Sequence, residues 1–264
     1  MLALSAATLT EAAPGTHAAA SDDHLYTAFA IVTGTDMRQR PWGFAQCFRE
    51  VLVKVSGNPR LKEDSRVADT AAHPDPLIAA FDYADMMAGI PKKDDQGSYD
   101  RPHRLTVHFD PAKIDGVLAQ LGEPPWRGER PVIVPALAVH GRKPPAYVLS
   151  AETTAGVEQR ESFATMAAEF GMTARFPSEA ELARWGVAVD HVPEHPPRAA
   201  APNEIVVLGT LDWSETLPGW TGAWRAHWSG ADHGWRITGV NYDAAFRDIV
   251  AGVVRLASGH GAPD

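Results

Sequence analysis

Two proline-containing breaks, Gly122-Glu123-Pro124-Pro125 and Gly128-Glu129-Arg130-Pro131, flank Trp126 near the middle of the chain, and the hydrophobic pattern changes across them. Proline fixes φ and withdraws a backbone donor, so breaks this close together mark a junction between two packing units. A chain of 264 residues is long enough for two such units, and area scaling lets it bury about 70–75% of its unfolded surface. It needs no covalent staple. With one cysteine it has no internal disulfide framework and no cysteine-rich zinc site.

Before the junction, Leu25 to Val32 is rich in β-branched and aromatic residues and reads as a strand that stops at Thr33-Gly34. After Pro41, residues Phe44, Cys47, Phe48, Val51, Leu52 and Val55 form one helical stripe, with Gly57 where a left-handed C-cap is wanted. A short helix before His73-Pro74 follows, then alternating strands at Phe81 to Asp85 and Leu105 to Phe109. Asp110-Pro111 supplies a cap and an N1 proline for a helix carrying Ile114, Val117, Leu118 and Leu121. The order is β-α-β-β-α.

After the junction, Val132 to Val139 is a near-continuous apolar run, as in a strand covered on both faces. A partner strand at Tyr147 to Leu149, a helix closed by Gly171 and a capping box at Ser178-Glu179-Ala180-Glu181 come next. The proline-rich stretch Asp190 to Pro202 reads as an exposed loop. Ile205 to Leu211 is a second buried-type strand, two alternating strands follow around Trp220 to Trp228 and Trp235 to Val240, and the last helix carries Tyr242, Ala245, Phe246, Ile249, Val250, Val253 and Val254 on one face. The fold class is therefore α+β: a small β-α-β-β-α amino-terminal domain at 25–123, a linker at 124–131, and a mixed-sheet α/β domain with a β-meander and closing helix at 132–258. Residues 259–264 read as a disordered tail.

Residues 1–24 read as a signal-peptide remnant or a disordered tail. The apolar run Leu2 to Ala7 and the small residues Ala18-Ala19-Ala20 before Ser21 fit a cleavage site, while no Lys or Arg precedes Arg38. The expectation is a periplasmic protein whose signal peptide starts further upstream, with a cytoplasmic location as the alternative. No later stretch is long and apolar enough to span a membrane. The formal charge of −9, from 33 acidic and 24 basic residues with no Lys/Arg cluster, argues against a nucleic-acid partner.

No dinucleotide fingerprint, phosphate loop, zincin helix or nucleophile elbow is present, so neither a catalytic residue nor a cofactor is expected. Ser229, Asp232 and His233 are triad residue types crowded into one turn, too close in sequence to converge. Asp94, Asp95 and Asp100 share a loop but lack the alternating pattern of a calcium loop, and a solvated hairpin tip is the simpler reading. His191 and His195 have helical zinc spacing, but Pro193 forbids the helix, and His103 and His108 point to opposite faces of one strand. No metal site is expected. Cys47 lies inside a buried stripe and reads as a small hydrophobe. The unusual feature is tryptophan. Trp220, Trp224 and Trp228 share parity on one strand and line one face, which is either core beneath the last helix, the preferred reading, or an exposed stacking platform for sugars or a partner.

Three runs carry a family likeness: Glu50 to Asn58, Arg101 to Asp115, and Pro125-Trp126 with Arg130-Pro131. In that order they resemble the hallmark runs of an uncharacterised proteobacterial family catalogued as domain of unknown function two thousand and sixty-six, over roughly Leu25 to Leu256. The resemblance implies an exported envelope protein and no reaction. The Leu208-Gly209-Thr210-Leu211 strand and its meander also look like the amino-terminal domain of TolB-type periplasmic adaptors, at the level of fold alone. Together these features predict a non-catalytic periplasmic cell-envelope adaptor or binding protein with an envelope protein as partner. The alternatives are a glycan- or small-ligand-binding module using the tryptophan strand, and an enzyme whose site is assembled from residues distant in sequence.

Overall fold

The computed structural model describes residues 23–90, 101–199 and 201–263. Residues 1–22 of the remnant or tail expected at 1–24, the cleavage site before Ser21, and Asp94, Asp95 and Asp100 lie outside them, whereas Asp23 and His24 belong to an ordered 3₁₀ turn.

A single 3₁₀ turn at Asp23–Tyr26 leads into β1 (Thr27–Thr33), so the strand starts two residues later than its composition suggests. Helix α1 (Arg40–Ser56) ends at Gly57, whose φ of 73° is the left-handed cap that a side chain disfavours. After α2 (Ala68–Ala72), strands β2 (Ile78–Asp85) and β3 (Pro102–Phe109) complete an antiparallel sheet in the order β1-β3-β2. Helix α3 (Pro111–Leu121) is capped by Asp110, whose Oδ1 accepts from the N–H of Ala112 at 2.9 Å and of Lys113 at 3.3 Å. The inward set Ala28, Ala30, Val32, Leu105 and Val107 is buried together with the α1 stripe. Gly43 lets α1 approach the sheet, because a Cβ there would stand 2.6 Å from Leu105.

The second half has β4 (Val132–His140), β5 (Tyr147–Val148), α4 (Val157–Glu169), α5 (Glu179–Trp185), β6 (Glu204–Ser214), β7 (Gly219–Trp228), β8 (Ala231–Val240) and α6 (Tyr242–Ser258). The sheet order is β5-β4-β6-β7-β8, with β4 and β6 parallel and the other neighbours antiparallel. The β4-α4-α5-β6 crossover, the β6-β7-β8 meander and the closing helix match the α+β expectation. Both bonds of the Ser178 capping box form, with Glu181 N–H donating to Ser178 Oγ at 3.2 Å and Ser178 N–H donating to Glu181 Oε2 at 2.9 Å. One face of this sheet packs on α6; Val134, Ala136, Val206 and Leu208 on the other face pack under Leu182 and Val187.

The carboxyl end of α1 ties the halves together. The last carbonyls of a helix have no partner of their own. Here Trp126 N–H donates to Val55 O at 2.8 Å, Arg130 Nη2 to Lys54 O at 2.7 Å, and Ser258 Oγ to the Gly57 carbonyl at 2.8 Å. One apolar cluster runs from the α1 stripe through to α6. Cys47 sits in it fully buried, and burial pushes its thiol up to about 12. In the native protein a thiol reagent is expected to modify Cys47 far more slowly than in urea; equal rates in the two states would show the α1 face to be misplaced.

Candidate functional site

Five of the eight tryptophans fall between Trp213 and Trp235, on the meander strands. β6 and β7 pair in a regular register that sets Gly209 opposite Trp224 and Trp213 opposite Trp220, so the alternation along β7 is unbroken. That face turns toward α6. Trp224 is 1% exposed, with its ring over Gly209 and Gly222, where a Cβ would come within 2.4 and 2.0 Å of it, and its Nε1 donates to Asp248 Oδ2 of α6 at 2.9 Å. Trp235, opposite Trp224 on β8, packs on Gly252 of α6. Trp220 and Trp228 are half-buried at the margins of the same core. The face offers no flat exposed platform, since the ring at its centre is sealed under the closing helix.

The histidine and triad candidates separate as strand parity requires. His103 bonds to the Arg101 carbonyl, while His108 Nδ1 meets Thr27 Oγ1 at 3.0 Å on the other face of β3. His233 does not face Asp232. Asp232 instead receives His227 Nδ1 at 2.6 Å and His195 Nδ1 at 3.0 Å, and these hydrogen bonds, His227 foremost, hold its carboxyl below the usual range. His191 takes part only in a local bridge with Ala188. The His227–Asp232 pair was readable from the Ser229-Gly230 turn, which sets these residues opposite each other. The arrival of His195 from a distant loop was not. Among the described residues no group of three His, Cys, Asp or Glu is arranged to hold a metal ion.

A cleft of about 710 Å³ lies between the outer face of the three-stranded sheet and the turn after α4. Alternation aims Thr27 and Phe29 of β1 and Arg104 and Thr106 of β3 outward into it, and His24 and Lys54 complete its polar wall beside the 171–173 turn. The Arg104 guanidinium lies 3.8 Å from the Phe29 ring centre, a cation–π contact that holds the charge at the rim. None of the lining residues is acidic, although the chain carries a formal charge of −9.

Behind this wall lies a buried charged pair. Lys54 Nζ donates to the Thr27 carbonyl at 2.8 Å and stands 3.7 Å from Glu50 Oε1, an ion-pair distance too long for a hydrogen bond. Burial pushes the Glu50 carboxyl up to about 7 against the pull of Lys54, and burial also lowers Lys54, with Glu50 and Glu169 opposing. Glu169 of α4 is in turn held by Arg247 Nη1 at 2.7 Å. Cys47, Glu50 and Lys54 follow helical spacing along α1, so the sequence contained the pattern. What it lacked was any sign that α4 and α6 would close over these charges.

Fold and cleft together define a two-sheet α+β protein with a cationic, partly apolar cleft and a buried Lys–Glu pair behind it. Residues 19–127 match the family model described as Domain of unknown function (DUF8605), a stretch that runs from ahead of β1 through α3 to just past Trp126. This overturns the resemblance to domain of unknown function two thousand and sixty-six, because the matching model is a different one. Motifs such as Asp110-Pro111 and Gly57-Asn58 are helix caps that many unrelated chains need, which is how a set of short runs can suggest the wrong family. No curated protein matches the chain, and no solved structure does. The likeness to TolB-type domains gains no support.

Proposed function

We propose that this protein is a non-catalytic binding or adaptor protein of the cell envelope, and that its cleft takes a small anionic ligand with a flat apolar part. The observation that carries this reading is the composition of the wall: the Arg104 guanidinium at the rim with His24 and three threonine hydroxyls beside Phe29 and Met172, the buried Lys54 stem behind them, and no carboxylate. Oriented hydroxyls and cations at the edge of an apolar hollow are the usual means of fixing an anionic group. A periplasmic setting rests on the apolar run Leu2 to Ala7 and on Ala18-Ala19-Ala20 before Ser21, since the family likeness that added to it is withdrawn. Among the described residues no helix is long and apolar enough to cross a membrane.

An aromatic sulfonate dye is a suitable probe. It is expected to bind the native protein at one saturable site, and Arg104→Glu, a substitution at an exposed position, should weaken binding by about tenfold or more by replacing attraction with repulsion. Unchanged binding in a folded Arg104→Glu protein would remove the cleft as the site. The enzyme reading retains one point in its favour, the displaced Glu50 carboxyl near the cleft. However, Lys54 is already committed to the Thr27 carbonyl, which suits a structural tie better than a reacting amine.

A further inference from the structure

The four strands at sheet edges differ in how they are protected. β5 has only two residues, β2 carries a register shift between Ile78 and Ala80, and the Thr27 carbonyl at the start of β1 is already taken by Lys54. β8 is ten residues long, contains neither lysine nor proline, and among the described residues pairs with β7 alone; its own register shift lies beyond Ile237, so the stretch from Ala231 to Ile237 runs in regular register. Its phase follows from the turn before it. Ser229 and Gly230 have φ of 51° and 83°, the two-residue turn with both angles positive, so the flanking Trp228 and Ala231 exchange hydrogen bonds. Alternation then directs the N–H and C=O groups of Asp232, Gly234 and Arg236 away from β7, along the free edge.

That edge is symmetric about its middle residue. All three residues are exposed, and the Asp232 carboxylate also holds His227 and His195 of its own chain. Turned over and laid antiparallel on itself about Gly234, the strand sets Asp232 opposite Arg236 twice, with a residue lacking a side chain on the axis. Arg236 has no hydrogen-bond or ion-pair partner among the described residues, so its charge is available. The glycine is not demanded by its own chain either: its φ is not positive, and a Cβ would make only ordinary contacts, 3.5 Å from Trp224 O and 3.9 Å from Arg225 Cγ.

We propose that the free edge of β8 is an interface between two copies of this chain, paired antiparallel about a two-fold axis at Gly234 to join two five-stranded sheets into one. The occupant is a second copy because the charge pattern is complementary to itself, as an isologous contact requires. The interface is independent of the cleft.

Sedimentation equilibrium of the full chain over a concentration series is expected to show a species of about twice the 28.4 kDa chain mass. Arg236→Glu alone and Asp232→Lys alone should each sediment as monomers, because each places like charges opposite one another twice. Mixing the two variants should restore the dimer, since every opposed pair is then of opposite sign. Should Asp232→Lys disturb the His195 and His227 contacts, Gly234→Pro removes the outward N–H on the axis and should also give a monomer. Amide exchange at 234 and 236 should slow as the native protein is concentrated. A native chain that stays monomeric, or a dimer that survives Arg236→Glu and Gly234→Pro, would overturn the proposal, and a monomer that pairs this edge with some other strand would equally do so.

Discussion

Replacing Trp224 with Ala lowers the urea midpoint sharply, by an amount worth about 3–5 kcal/mol, as aromatic truncations in cores do. The indole is enclosed by Gly209, Gly222 and α6, so its removal leaves a hollow that the surrounding backbone cannot easily collapse to fill. The bond from Nε1 to Asp248 goes with it. Against a total stability of about 5–15 kcal/mol for a domain, the loss is a third or more. Urea unfolding of the two proteins measures it. A midpoint that did not move would return the Trp220, Trp224 and Trp228 face to the binding surfaces.

Replacing Lys54 with Met is the second large effect, and it depends on pH. Removing one member of a buried ion pair costs about 3–5 kcal/mol, because the other charge is left without compensation. Here the remaining group can partly escape by taking up a proton. Glu50 is already pushed from its ordinary 4.5 to about 7 with Lys54 present, and without that cation it rises further. A carboxyl with a raised folded pKa binds a proton that the unfolded chain has released. Its contribution is therefore complete below the unfolded value and is lost as pH rises through the folded one. On this group the native protein loses stability between about pH 4.5 and 7. The Lys54→Met variant should be only mildly destabilised at about pH 5 and should show the full deficit at about pH 8. Denaturant unfolding at both pH values tests the sign. A deficit that was larger at the acid end would mean that Glu50 is not the group left exposed to the loss.

Residues 19–127 match a family description that names no reaction, and the pointer to a ligand comes from the chemistry of the cleft itself. A cationic wall in an acidic protein is a local departure from the average, and it arises because β3 presents Arg104 and Thr106 outward beside Thr27 and Phe29 of β1, while the opposite parity of both strands is held by α1.

Sequence by itself determined what depends on near neighbours. The caps at Gly57, Asp110 and Ser178, the stripe on α1, the double-faced burial of β4 and the shared parity of Trp220, Trp224 and Trp228 are set by spacings within a few residues, where backbone periodicity leaves little choice. Only the tertiary structure decided the rest. Whether the tryptophan face met solvent or α6 depended on how the closing helix docks. The burial of Glu50 and Lys54 required α4 and α6 to arrive from more than a hundred residues away, and the cleft exists only where the 171–173 turn meets the sheet. A charge on a helix face looks the same in sequence whether water or another helix lies over it, because solvation is a property of what packs against the residue and leaves no mark on the residue's own neighbours in the chain.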